Sequence, residues 1–189
     1  MDPVAAAFEA LPRDGFLREG ERRQAAHDGP LPIGEGQTNS QPRTVAAMLR
    51  LLEVAPGQRV LDVGSGSGWT TALLARLVGP TGTVVGVEIE PSLVEFGSAN
   101  LAATNQPWAS IRAAVPGVLG LPDHAPFDRI LVSAEPSSMP QDLVDQLGEG
   151  GRLVIPVRGT MTLVTRTGDD VRESHHGSYR FVPLRGTQR

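Results

Sequence analysis

The residues best placed to do chemistry form a run of alternating glycines, Gly64-Ser65-Gly66-Ser67-Gly68, directly after the apolar stretch Val60–Val63. Glycine tolerates positive φ and lets backbone touch a ligand where a Cβ would intervene. A helix starting behind such a bend presents free N–H groups and a partial positive charge. Glu88 lies 20 residues beyond Gly68, at the end of a second β-rich stretch. A carboxylate there can accept hydrogen bonds from ribose hydroxyls. Together the bend and the acid describe a seat for a nucleoside. Taken singly, the bend is also compatible with a structural tight turn, and Glu88 with a solvated strand-end acid. A dinucleotide fingerprint would read Gly-x-Gly-x-x-Gly. Here the third glycine comes one residue early, and Trp69 follows it, where an indole would crowd a pyrophosphate.

Other chemistries are excluded by what the chain lacks. All 17 basic residues are Arg, so no lysine Schiff base or lysine nucleophile can form. With no Cys, disulfides, thiolate catalysis and cysteine-ligated metals are ruled out. His27 and His124 are isolated. His175 and His176 are adjacent, so on a strand they would face opposite ways; a surface loop is expected for them and a metal site is not. The net charge of -4 is not that of a protein gripping a phosphate backbone. No apolar run approaches the ~20 residues needed to span a bilayer. The opening MDPVAAAFEALPRDGF carries acids and an Arg with no apolar signal core behind them. A cytoplasmic monomer is expected, without nucleic-acid or membrane partners. Length 189, with 40 % apolar and 20 % charged residues, suits one globular domain.

The elements that must position the glycine bend are legible from pattern. Residues 3–26 carry a weak amphipathic pattern broken by Pro12 and Gly15, read as one or two short helices. Gly29–Pro42, rich in Gly, Pro and small polar residues, reads as a loop long enough to suggest function. Apolar residues at helical spacing predict a helix over Arg43–Val54, and Arg59–Val63 reads as a strand. Trp69–Val78 and Pro91–Leu101 read as helices flanking a strand at Thr83–Val87. Ser110–Ala114, Arg129–Ser133 and Arg152–Val157 are further strands, with a helix at Gln141–Leu147. Met161–Arg166 and Tyr179–Val182 read as a late antiparallel pair, with a turn at Gly168–Asp170. Asp128, at a strand entrance, reads as structural. Strand–helix alternation predicts α/β with a mostly parallel central sheet.

The glycine spacing resembles the cofactor loop of the S-adenosylmethionine-dependent methyltransferases, and Asp62, two residues before Gly64, fits that resemblance. Several stretches are similar to the protein-L-isoaspartate O-methyltransferases in particular: Leu31–Pro42, Ala125–Val132, Gln146–Pro156 and Phe181–Leu184. The resemblance runs from about Phe8 to Leu184. It implies a Rossmann-like methyltransferase fold whose last strands depart from the doubly wound order, as one domain: residues 1–42 as N-terminal helices and substrate loop, 43–189 as core. It implies S-adenosyl-L-methionine as cofactor, no metal, and methyl transfer to the free carboxylate of isoaspartyl residues in damaged proteins. By the same resemblance Asp62, Gly64, Ser65, Gly66, Gly68 and Glu88 hold the cofactor. Ile33, Gly34 and Gln37 meet the substrate, and Ser40 and Thr38 supply hydroxyls that orient its carboxylate. Ser40 also reads as a turn serine capping the next helix.

The sequence departs from the family pattern in three places. Val115-Pro116-Gly117 stands where the family usually has Gly-Asp-Gly, its Asp facing the adenine amine. His27 and Gly29 flank Asp28 where a Tyr and an Arg are more usual. Glu135 stands where small residues are usual, and a carboxylate there would repel an anionic substrate. The alternatives are a relative redirected to another peptide carboxylate, or a degenerate non-catalytic member acting as a binding partner.

Overall fold

In the computed structural model, which describes residues 2–186, a seven-stranded sheet runs in the order β5-β4-β3-β6-β7-β8-β9. These strands are β3 (Arg59–Val63), β4 (Thr83–Glu88), β5 (Ala109–Ala113), β6 (Phe127–Val132), β7 (Leu147–Val157), β8 (Thr160–Thr167) and β9 (Asp170–Ser178). Strands β3 to β7 pair in parallel, and β8 and β9 follow as antiparallel hairpins. From β3 the chain builds outward through β4 and β5. It then returns to lay β6 on the other side of β3. The order therefore reverses between β3 and β6, and in open α/β sheets ligands bind outside the strand C-termini at that point.

Alternation within the strands divides the core in two. Val60, Leu131 and Val154 face one hydrophobic cluster, with α1 (Pro3–Ala10), α2 (Pro42–Leu52) and α3 (Trp69–Val78). Leu61, Ile130, Val132, Leu153 and Ile155 face the other, with α5 (Gln141–Val144) and Leu119 and Leu121. Helix α3 is the central element: nine of its ten residues are buried. Trp69 at its start does not stand free in the bend. It is buried, its ring meets Phe8 edge-on at 5.1 Å, and its Nε1–H donates to the Leu11 carbonyl at 3.0 Å. The N-terminal segment is thus fastened to the core. It consists of α1 and two 3-10 turns, Arg13–Phe16 and Glu19–Gln24. Helix α4 (Pro91–Ala102) packs beside α3.

Four expectations change. The Gly29–Pro42 loop contains a small hairpin, β1 (Leu31–Gly34) and β2 (Gln37–Asn39). Glu35 and Gly36 turn it at φ of 55° and 69°, the left-handed pair that two-residue hairpins require. Helix α2 stops at Leu52, because Glu53 adopts the left-handed conformation at φ 53°. Helix α5 is only four residues long, and β7 begins at Leu147. The last strand is Asp170–Ser178 and not Tyr179–Val182, so His175 and His176 lie on a strand and not in a loop. The tight turn at Gly168 returns the chain at once, pairing Thr167 with Asp170. Every residue of β9 is exposed, so it shows no apolar alternation, the signal on which strand assignment depends.

Candidate functional site

The cavity at the switch point is built from the C-terminal ends of β3, β4, β5 and β6, the hairpin, and the C-terminal segment. The glycine bend is pinned from β4: Gly64 and Ser65 N–H donate to the Val87 carbonyl at 2.9 and 3.2 Å. Glu88, 6 % exposed, turns towards the bend and accepts from Gly66 N–H at 2.9 Å through Oε2. Its Oε1 accepts from Ile89 N–H at 2.7 Å and Glu90 N–H at 3.1 Å. A carboxylate offers about four acceptor positions, so room remains for a hydroxyl from the cavity.

Most of the predicted site residues meet here. Gly64, Ser65, Gly66 and Glu88 line it from the bend and β4; Ile33, Gln37, Thr38 and Ser40 line it from the hairpin and the residue that follows. Gly34, Asp62 and Gly68 are not on the lining, and each has another role. Gly34 opens the hairpin turn at φ 105°. Gly68 sits at φ 83°, and a Cβ there would lie 2.7 Å from the Gly97 carbonyl oxygen of α4. Its task is close packing of backbone on backbone. Asp62 is wholly buried and faces the first turn of α3, where Thr70 and Thr71 hydroxyls donate to its Oδ2 at 2.8 and 2.7 Å. Ser40 does not cap α2. Gln41 holds the cap position with no side-chain bond to the helix N–H groups, and Asp28 Oδ1 accepts from Arg43 N–H at 3.2 Å instead.

Burial raises the Asp62 carboxyl to about 6, against the opposing pull of the two threonine hydroxyls, and the Glu88 charge adds to the rise. Between about pH 4 and 6 the folded chain therefore keeps a proton that the unfolded chain has released. On this account stability falls as pH rises through that window and is level above it. Asp62→Asn should abolish that slope and raise stability at pH 7–8 by on the order of 1–3 kcal/mol. Thermal unfolding from pH 4 to 8 checks this; a variant less stable at pH 8 would contradict it.

The residues suit an S-adenosyl nucleoside on three observations. The Ser65 hydroxyl is buried on the lining and has no hydrogen-bond partner among the described residues. A Cβ on Gly66 would press to 3.2 Å from Ile33 Cδ1, so only glycine leaves this part of the cradle open. Three large apolar side chains that stand exposed, Ile89, Val115 and Val118, all lie on the lining beyond Glu88, an apolar setting for a purine face. Pro116 lies on the same lining and brings neither a carboxylate nor an N–H. Glu135 is not on the lining. Its N–H donates to the Val182 carbonyl and its carbonyl accepts from Leu184 N–H, both at 2.8 Å. Asp128 is structural, accepting from Arg59 N–H at 2.7 Å. Among the described residues no cluster of three or more His, Asp or Glu has metal-binding geometry.

Sequence reasoning missed several participants. Val182–Gly186 forms part of the cavity wall, with Arg185 ion-paired to Glu90. The position of this segment depends on its backbone bridge to Glu135, for which no side-chain pattern is a signal. Arg13 is buried beside the site, and Asn39 is buried on its lining. A buried Arg within an amphipathic stretch looks the same in sequence as an exposed one.

The model of the family Protein-L-isoaspartate(D-aspartate) O-methyltransferase matches residues 1–189. A protein-L-isoaspartate O-methyltransferase of Methanopyrus kandleri is 43 % identical over 190 residues, covering 98 % of this chain and 84 % of that protein. One from Aeropyrum pernix is 45 % identical, covering 97 % and 72 %. A solved protein-L-isoaspartate O-methyltransferase superposes with a TM-score of 0.89 at 27 % identity; the match covers 99 % of this chain but spans 62 % of that structure's length. A Plasmodium falciparum relative, solved in complex with S-adenosyl-L-homocysteine, superposes at 0.85 with 29 % identity, covering 98 % and 91 %. Similarity along the whole chain, in sequence and in fold, thus converges with a glycine bend clasped by Glu88, and the chain belongs to the protein-L-isoaspartate(D-aspartate) O-methyltransferase family.

Proposed function

We propose that the chain, acting as a single domain, methylates the free carboxylate of isoaspartyl residues in damaged proteins, with S-adenosyl-L-methionine as methyl donor. The observation that carries this reading is that one cavity is lined by two unlike groups: the glycine bend with Glu88, and the hydroxyl-bearing residues Thr38 and Ser40. When bound, the cofactor supplies a sulfonium methyl that a carboxylate oxygen takes up, leaving a thioether.

The chain's own residues have little covalent work to do. A carboxylate with a pKa near ~4 is ionised at neutral pH and needs no general base. What remains is to hold the nucleophile in line, and positioning alone lowers such a barrier by several kcal/mol, on the order of 7–11 kcal/mol at best. In this reading Ser40 and Thr38 donate weakly to the acceptor carboxylate, since a strong donor would quench the nucleophile. The backbone at Ser40 is held firmly: Arg13 donates to the carbonyls of Asn39 and Ser40 at 2.8 and 3.0 Å. Ile33 and the Val182–Leu184 segment keep apolar surface over the reacting region and limit water. Working as a cytoplasmic monomer is the simplest setting for a repair enzyme; no helix among the described residues is long and apolar enough to cross a membrane.

Ser40→Ala tests the assignment of roles. Turnover of an isoaspartyl peptide should fall about tenfold or more, the value of one transition-state hydrogen bond of about 1.5 kcal/mol. Calorimetric affinity for S-adenosyl-L-homocysteine should stay within about twofold. A loss of cofactor affinity with turnover intact would assign Ser40 to the cofactor group.

The adenine end makes a second test. With Pro116 in place of an acid, an acceptor for the exocyclic amine is missing from that side chain. Pro116→Asp should tighten S-adenosyl-L-homocysteine binding about tenfold, the worth of one charge-assisted hydrogen bond. Unchanged or weaker binding by calorimetry would place the adenine elsewhere.

A further inference from the structure

Arg13 is a buried cation, 5 % exposed, that forms no ion pair among the described residues. Its guanidinium sits 5.7 Å from the Trp69 ring centroid and is spent on neutral acceptors. Besides the carbonyls of Asn39 and Ser40, it donates to those of His27 and Gly29 at 2.9 and 2.8 Å. Its Nε–H donates to the Asn39 side-chain oxygen at 2.6 Å.

That last bond fixes a chain of polarity. A guanidinium has donors only, so the Asn39 amide must turn its oxygen to Arg13 and its NH2 to the other side. There Nδ2 donates to Ser67 Oγ at 2.9 Å. Ser67 is thereby an acceptor towards Asn39, and its proton must be given elsewhere. Its side chain is 3 % exposed, lines the cavity and makes no other hydrogen bond among the described residues. Among the described residues the proton finds no acceptor, and the cavity is the open space that Ser67 borders. Ser67 lies in the bend just before α3, where the helix N-terminus favours an anion. Glu88, which accepts from the neighbouring Gly66 N–H, disfavours one.

We propose that Arg13 and Asn39 are positioning residues that hold the Ser67 hydroxyl as a donor into the cavity, and that the group it receives is the carboxylate at the amino-acid end of an S-adenosyl ligand. The inference rests on the methyltransferase reading and adds to it a polarity relay linking the substrate hairpin to the cofactor bend. Arg13 stays off the cavity lining, while Asn39 reaches it and acts through Ser67.

Asn39→Asp separates this role from a structural one. The new carboxylate gives buried Arg13 a counter-charge, so thermal stability should hold or rise. Its second oxygen takes the Ser67 proton, so the cavity loses a donor and gains a nearby negative charge. Calorimetry on the full chain would use two probes: S-adenosyl-L-homocysteine and 5′-methylthioadenosine, which keeps the nucleoside and thioether but lacks the amino-acid end. The expected result is an affinity loss of about tenfold or more for the first. The second should stay within about twofold. Ser67→Ala, which leaves the Arg13–Asn39 bond in place, should give the same selective loss. It decides alone if Asn39→Asp does not fold. Unchanged binding of S-adenosyl-L-homocysteine, or equal loss of both probes, overturns the relay. Failure of the unmodified chain to bind either probe overturns the methyltransferase reading itself, an outcome distinct from intact binding that the variants leave untouched.

Discussion

Glu88→Ala is expected to weaken S-adenosyl-L-homocysteine binding by about a hundredfold or more, with most of the fold's stability retained. The size follows from two losses. The first is the carboxylate acceptor for ribose, a charged hydrogen bond worth about 1.5–3 kcal/mol. The second is the pin on the bend, because Gly66 N–H loses its acceptor and the neighbouring Ile89 and Glu90 N–H groups lose theirs. A bend that wanders must be reordered when ligand binds, and that ordering cost subtracts from affinity. Glu88→Gln, which keeps the volume and one oxygen, should show a smaller loss, about tenfold. Isothermal calorimetry reads both. Affinity for the nucleoside unchanged in the alanine variant would show that Glu88 serves only the loop.

Gly68→Ala is expected to cost about 3 kcal/mol of stability, or roughly 10 °C in Tm for a chain of this size. Left-handed backbone at φ 83° costs a residue with a side chain on the order of 1 kcal/mol. The larger part is steric. The added methyl would lie 2.7 Å from the Gly97 carbonyl oxygen and 3.2 Å from both its carbon and Ile111 Cδ1. Two of those three atoms are backbone, which cannot swing aside as a flexible side chain does. Gly97 returns the contact: a Cβ there would meet the Gly66 carbonyl oxygen at 2.7 Å. The approach of α4 thus by itself requires glycine at the third position of the bend. Gly64→Ala provides the contrast. Its nearest neighbours would be at 3.9 Å, so it should lose mainly the conformational part, about 1 kcal/mol. Equal Tm losses in the two variants would contradict the packing account.

What the sequence made legible follows physical lines. The inner parallel strands read well because both faces are largely buried, giving mainly apolar runs such as Val60–Val63 and Thr83–Val87. The glycine bend and Glu88 read well because their chemistry is carried by residue type at short spacing. Strand β9 was displaced because its nine exposed residues carry no apolar alternation. The hairpin Leu31–Asn39 was hidden in loop composition; only Glu35-Gly36 marks its turn. Asp62 and Gly68 sit inside the motif, and the fold gives each a structural task its spacing does not reveal: one braces α3 and the other lets α4 approach. A motif records which residues a site needs and does not separate those that touch the ligand from those that hold the wall. Arg13 and Asn39 were missed for a related reason: the network that joins residues 13, 39 and 67 exists only once the chain is folded.

The account stands most directly on the fate of two peptides that differ only in the attachment of one aspartyl residue. Incubated with the chain and S-adenosyl-L-methionine at neutral pH, the isoaspartyl peptide should release methanol through its methyl ester with repeated turnover, while the aspartyl twin stays silent. Methanol from both at similar rates, or from neither while calorimetry shows the cofactor bound, would contradict it.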